Sequence, residues 1–128
     1  MKPTRNRNIP WLIAGLMAMA TALIHTFGGQ TTLVDPLMSS NLSPQVTGEL
    51  WGAWHMITGF LFLSAVVILR QALKGNRTDN RSLMQFLGGL YVLTAVPFAF
   101  GSLYFGLFLP QWILILPIGL LILLGLRR

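Results

Sequence analysis

Polar and apolar residues in this chain are sorted into long blocks rather than alternating at a short period. From Trp11 to about Gly29 the run WLIAGLMAMATALIHTFGG holds no charged residue, and Leu50 to Leu69 (LWGAWHMITGFLFLSAVVIL) is a second uncharged run, closed by Arg70. Two more follow, from Leu83 to about Phe105 and from about Leu107 to Leu126, with the short turn Phe108-Leu109-Pro110-Gln111 near their junction. Each run is near the roughly 20 apolar residues a helix needs to cross the hydrocarbon of a bilayer. Only structures that satisfy their own backbone hydrogen bonds can cross lipid, and at this length that means helices. The pattern predicts an all-α fold. It is a single integral membrane domain over residues 1–128, a four-transmembrane-helix bundle with spans at about 11–29, 50–69, 83–105 and 107–126.

Composition agrees: 54% of the residues are hydrophobic and only 9% charged. Soluble domains carry about a quarter charged residues to clothe their surface. The net charge of +6 raises the question of nucleic acid, and the placement of the charges answers it. The nine cations are Lys2, Arg5 and Arg7, then Arg70, Lys74, Arg77 and Arg81, then Arg127 and Arg128. They form three clusters flanking apolar runs and build no basic groove, so they read as topology and not as nucleic-acid binding. Lys and Arg near span ends are retained in the cytoplasm. The 30–50 connection and the turn between the last two spans hold none. With four spans, the three clusters share one side, so both termini are expected in the cytoplasm. An alternative reads Lys2, Arg5, Arg7, the apolar stretch and Ala18-Met19-Ala20 as a cleavable signal peptide, which would leave the other three spans in the same orientation. The chain has no cysteine, which excludes disulfides and thiolate chemistry.

The outer connection from Gln30 to Glu49 is the longest. Within it, Ser43-Pro44 is a good helix start, because a hydroxyl accepts an orphan backbone N–H and proline fits the first helical position. Asp35-Pro36 has the same grammar and predicts one short interfacial turn. In lipid, small residues mark contact faces. Ala14, Ala18 and Ala22 share one face of the first span, and His25 continues that stripe inward. In the second span Trp51, His55, Thr58, Gly59 and Phe62 are expected to share an inward face, with Gly48 and Gly52 as a small-xxx-small pair. Pro97 and Pro117 fall inside spans three and four and read as packing kinks, with a hinge as the alternative. Trp11, Trp51, Trp54 and Trp112 lie near span ends, where indole rings anchor helices at the headgroups.

The ionisable side chains clearly inside the spans are two histidines, His25 and His55, at matching depth below the outer surface, roughly 6 to 9 Å at 1.5 Å per residue. Thr26, Trp51, Trp54, Ser102, Tyr104, Gln111 and Trp112 stand at that level. A polar residue within a span is costly and marks a site by default. Imidazole can ligate haem iron, relay a proton or hold a quinone oxygen. His25, His55, Trp54 and Tyr104 therefore define a candidate cofactor pocket, for which haem b is the leading cofactor and no ligand is fixed. The reading favoured over that pocket is that each histidine bonds a tryptophan, a threonine or a carbonyl and holds two helices together. Two histidines are too few for a closed zinc site, with only Glu49 and Asp35 as distant additions, so no metal site and no catalytic residue is assigned.

HTFGG after the first span, the Pro-Leu of the outer loop, WGAWH opening the second, and PQW with GLLILLG in the fourth resemble an uncharacterised family of small bacterial four-helix integral membrane proteins. His25, Gly28, Trp54 and His55 carry the resemblance. It implies the four-span layout and a multi-pass location in the bacterial cytoplasmic (inner) membrane, and it brings no activity. The expected function is an accessory or interaction role in the bilayer, leaning away from an enzyme, with a homo-oligomer or another membrane protein as partner. The alternatives are a haem- or quinone-binding redox protein using the histidine pair near the periplasmic face and, third, an oligomeric small-molecule transporter.

Overall fold

The computed structural model describes residues 7–74 and 80–127. Lys2, Arg5, Arg77 and Arg128, which enter the charge argument, lie outside the described residues. The described residues form four helices and no strand: α1 (Ile9–Met38), α2 (Pro44–Lys74), α3 (Arg81–Phe105) and α4 (Gln111–Gly125). The first three are long and apolar enough to cross a membrane, whereas α4 is apolar but has 15 residues. At 1.5 Å per residue α4 is about 22 Å long, less than the roughly 30 Å of hydrocarbon.

Two expectations about the outer end are corrected. The first helix does not stop near Gly29. It runs on to Met38, through π-helical stretches at Ile24–Gly28 and Gln30–Val34 and a last turn at Asp35–Met38. Pro36 supplies a physical reason for the widening, since it lacks an N–H and its ring crowds the carbonyl four residues back, so the turn before it cannot keep regular α bonding. The Thr31 and Thr32 hydroxyls donate to the Gly28 carbonyl, 3.1 and 2.9 Å, and so satisfy part of that stretch. The expected long connection is thus a tight turn at residues 39–43, and α2 begins at Pro44, with Val46 N–H donating to Ser43 Oγ at 3.4 Å. Ser43-Pro44 is the helix start that the sequence announced.

α1 packs along α2 and α4, and α4 packs along α3, while α2 and α3 meet through the side chains of Ser64, Phe60 and Tyr91. The alanine stripe is the heart of this arrangement: Ala14, Ala18 and Ala22 are fully buried, against Leu61, Ala65, Ile68 and Ala72 of α2 and Ile118 and Ile122 of α4. Glycines set the helix separations. A Cβ on Gly119 would lie 2.8 Å from the Gly88 carbonyl oxygen and 2.9 Å from Val92 N, so α3 and α4 touch backbone to backbone. Tyr91, fully buried, is 2.6 Å from Ser64 Oγ and ties α3 to α2 within the core.

The end of the bundle that carries the cations is laced by polar contacts. Asn8 caps α1 by accepting from Trp11 N–H (3.2 Å), its Nδ2 donates to the Gly125 carbonyl (2.9 Å), and its own N–H donates to the Ala72 carbonyl (3.3 Å). Trp11 is not the headgroup anchor expected from its position. It is buried, and its indole N–H donates to the Ile122 carbonyl at 2.9 Å. Removal of the residues before Ala20 would take Trp11, Ala14 and Ala18 out of this core.

Candidate functional site

The histidines stand deeper than expected relative to the ends of their helices. His25 is thirteen residues before Met38, most of them π-helical, and His55 eleven after Pro44, about 16 Å along the α2 axis. His25 leaves the alanine stripe at the onset of the π-helical stretch and meets α2. Its ring stacks on the Trp54 indole with centroids 3.7 Å apart and planes at 13°, and Nε2 lies 3.4 Å from the Trp54 carbonyl. That oxygen also accepts from Thr58 Oγ1 at 3.1 Å. Gly29 admits the indole: a Cβ there would lie 2.0 Å from Trp54 Cζ2. The site is therefore built from one turn of α1 clamped on one side chain of α2, with His25 and Gly29 both against Trp54.

His55 belongs to a different face. Adjacent helical residues point about 100° apart, so with Trp54 turned to α1, His55 is exposed and meets Trp51 of its own helix edge-on, at 4.2 Å and 64°. The expected inward face of Trp51, His55 and Gly59 is corrected, because all three are exposed and the buried face of α2 starts at Leu61 and continues through Ser64, Ala65 and Ile68. A Cβ on Gly48 or Gly52 would likewise meet nothing within 4 Å among the described residues. The spacing rule was sound, but the choice of face was not: the alanines of α1 select the Leu61 face of α2.

Tyr104 lies on α3, highly exposed, stacked with Phe100 and edge-on to Phe105. The structure thus brings His25 and Trp54 together and leaves His55 and Tyr104 on other surfaces. Thr26 Oγ1 donates to the Ala22 carbonyl of its own helix. Ser102 serves the turn between α3 and α4: its hydroxyl donates to the Phe98 carbonyl (2.8 Å) and accepts from Leu109 N–H (3.1 Å). Gly106, at φ 63°, closes α3 in the left-handed conformation that glycine adopts without strain. Asp35 and Glu49 are each held by a glutamine of their own helix, Gln30 at 2.8 Å and Gln45 at 3.0 Å. Sequence reasoning missed the clasp of Asn8 and Trp11 on α4; Asn8-Ile9-Pro10 does carry a helix-start signal, but nothing local names the partner.

Chemically, the His25–Trp54 contact is an interhelical stack with a long hydrogen bond, whereas His55 and Trp51 pair edge-on on an outward face. Comparison of the chain with protein-family models, with curated proteins and with solved structures finds no match in any of the three.

Proposed function

We propose that the chain is a four-span protein of the bacterial inner membrane, with both termini in the cytoplasm, that acts as an accessory or interaction subunit and not as an enzyme. Its contact face is the outward side of the first half of α2. The observation that carries this reading is the exposure of His55 and Trp51 on that side of a helix long and apolar enough to cross a membrane. A polar side chain turned to lipid is costly and is met by a partner or a polar cavity. Gly48, Gly52 and Gly59 beside it leave space in which another helix can approach closely. The partner is a second copy of this chain or another membrane protein. Charge placement supports the orientation: the described cations sit at the end opposite Asp35 and Glu49, the described carboxylates.

The test is photo-cross-linking in native membranes from a photoreactive residue at Gly52, with Gly89 on the far side of α3 as control. The expected result is a discrete adduct from position 52 that His55→Ala weakens. Adducts of equal yield from both positions would point to lipid contact alone and overturn the reading.

A further inference from the structure

The lipid-facing side of α3 carries a shallow groove that begins beside the cationic end of the molecule. Ser82 and Gln85 line its mouth, and Phe86, Gly89, Leu90 and Leu93 its length. These residues recur along one side of the helix, opposite the buried Met84, Gly88 and Tyr91. Gly89 forms the floor, since a Cβ there would meet nothing within 4 Å, while Phe86 and Leu93 stand exposed on either side. From Ser82 to Leu93 the groove runs eleven residues, about 16 Å, which matches the roughly 15 Å of hydrocarbon in one leaflet.

Among the described residues, cations flank the mouth. Arg81 precedes Ser82 and spends one donor on the Leu126 carbonyl, at 3.0 Å, which brings the start of α3 to the residue before Arg127. Guanidinium has five N–H donors in a fixed fork suited to phosphate. Arg7, Arg70, Lys74, Arg81 and Arg127 are all exposed at this end, and no carboxylate accompanies them among the described residues. Retention of cations in the cytoplasm accounts for their side of the membrane. It does not account for an apolar groove of leaflet depth opening at their level.

We propose that this groove seats an anionic glycerophospholipid, its phosphate at Arg81, Ser82 and Gln85 and one acyl chain along Phe86, Gly89 and Leu93. Charge complementarity selects an anionic headgroup over a zwitterionic one, because each cation near the surface favours an anionic surface by about fivefold. The inference rests on the transmembrane reading above but not on which end faces the cytoplasm.

The test is native mass spectrometry of the full chain reconstituted with equal mole fractions of phosphatidylglycerol and phosphatidylcholine of identical acyl chains. The expected result is one retained phosphatidylglycerol, favoured about fivefold or more over phosphatidylcholine. Gly89→Leu fills the groove without touching a charge or a neighbouring helix, and should abolish retention while the circular dichroism stays helical. Arg81→Gln and Arg127→Gln should each lower the preference about fivefold while a lipid can still bind. Equal retention of the two lipids, a preference that survives Gly89→Leu, or a second copy of the chain on this face would each overturn the site. Retention is read without regard to orientation, so a tag in the Gln30–Glu49 segment found in the cytosol would refute the topology and leave this result standing.

Discussion

The two ends of the bundle are held by different means. At the cationic end, α1, α2, α3 and α4 share a core of alanines, isoleucines, Met84 and Tyr91, and Asn8 and Trp11 bind the final carbonyls of α4. At the other end no residue of α2 before Leu61 and none of α4 before Ile118 is buried. There α1 and α2 are joined by the clamp of His25 and Gly29 on Trp54, while α3 turns into α4 through Ser102 and Gly106. Irregular helix features cluster at this change of regime: the π-helical stretch starts at Ile24, and Pro97 and Pro117 stand just beyond the last core residues Ala95 and Ile118. In a membrane no water is released when helices meet, so association depends on close packing and on hydrogen bonds that find partners. The cationic end has both. The outer end has the stacked pair, the buried Val34 and Leu37 of α1 and the Ser102 turn, and leaves the outward side of α2 open.

The largest test of that contrast is Gly119→Leu. Its Cβ would fall on the backbone of Gly88 and Val92, which cannot turn aside as a side chain can. Overpacking of this kind costs about 3 kcal/mol or more, and titration into a denaturing detergent should show the whole bundle losing its cooperative transition. A variant that unfolds like the native chain would mean that α3 and α4 are not in backbone contact.

Next comes Asn8→Ala. The side chain is buried, and its loss leaves the Gly125 carbonyl and the Trp11 N–H without their partner. Buried groups left unpaired cost about 1–3 kcal/mol, so the detergent midpoint should fall in proportion. Asn8→Asp keeps the cap on Trp11 but loses the donor to Gly125, and should fall between the two. A midpoint unchanged by Asn8→Ala would place the strength of the molecule elsewhere.

Part of this architecture is legible in the sequence. Long uncharged runs, the alanine stripe and Ser43-Pro44 are local signals, and the helices, the buried face of α1 and the start of α2 follow from them. The course of α1 past Gly29 does not, because Gly28-Gly29-Gln30-Thr31-Thr32 has the composition of a helix end. Along that stretch Trp54 seats on Gly29 and the threonines bond to Gly28, contacts that no local pattern announces. The face of α2 was equally hidden. Trp51, His55 and Gly59 recur at helical spacing as well as Leu61, Ser64, Ala65 and Ile68 do, and the choice is made by the flat alanine surface opposite. The clasp joins residues 117 apart in sequence, for which no local pattern exists.

Gly29→Ala probes the outer end alone. Its Cβ would overlap the Trp54 indole, but that is a side chain next to open surface and can move outward. The cost is therefore at the low end of overpacking, about 1 kcal/mol. Hydrogen exchange should quicken between residues 24 and 60 and stay unchanged from Leu61 to Ala72. Equal loosening of both segments would show one cooperative unit and erase the distinction between the ends.

The smallest expected effect belongs to His55→Ala, and its value lies in the contrast with His25→Ala. The two imidazoles look equivalent in sequence, yet His25 is stacked face to face on Trp54 while His55 touches only the edge of Trp51 and is otherwise open. Loss of a stacked aromatic pair costs about 0.5–1.5 kcal/mol, and His25→Ala should also shift the tryptophan emission as Trp54 loses its neighbour. An exposed substitution stays within about 0.5 kcal/mol, so His55→Ala should leave the detergent midpoint of the isolated chain unchanged. If His55→Ala instead cost the isolated chain more than His25→Ala, the imidazole would have to be buried within the protein itself. The outward face of α2 would then be part of the fold, with no room on it for a partner.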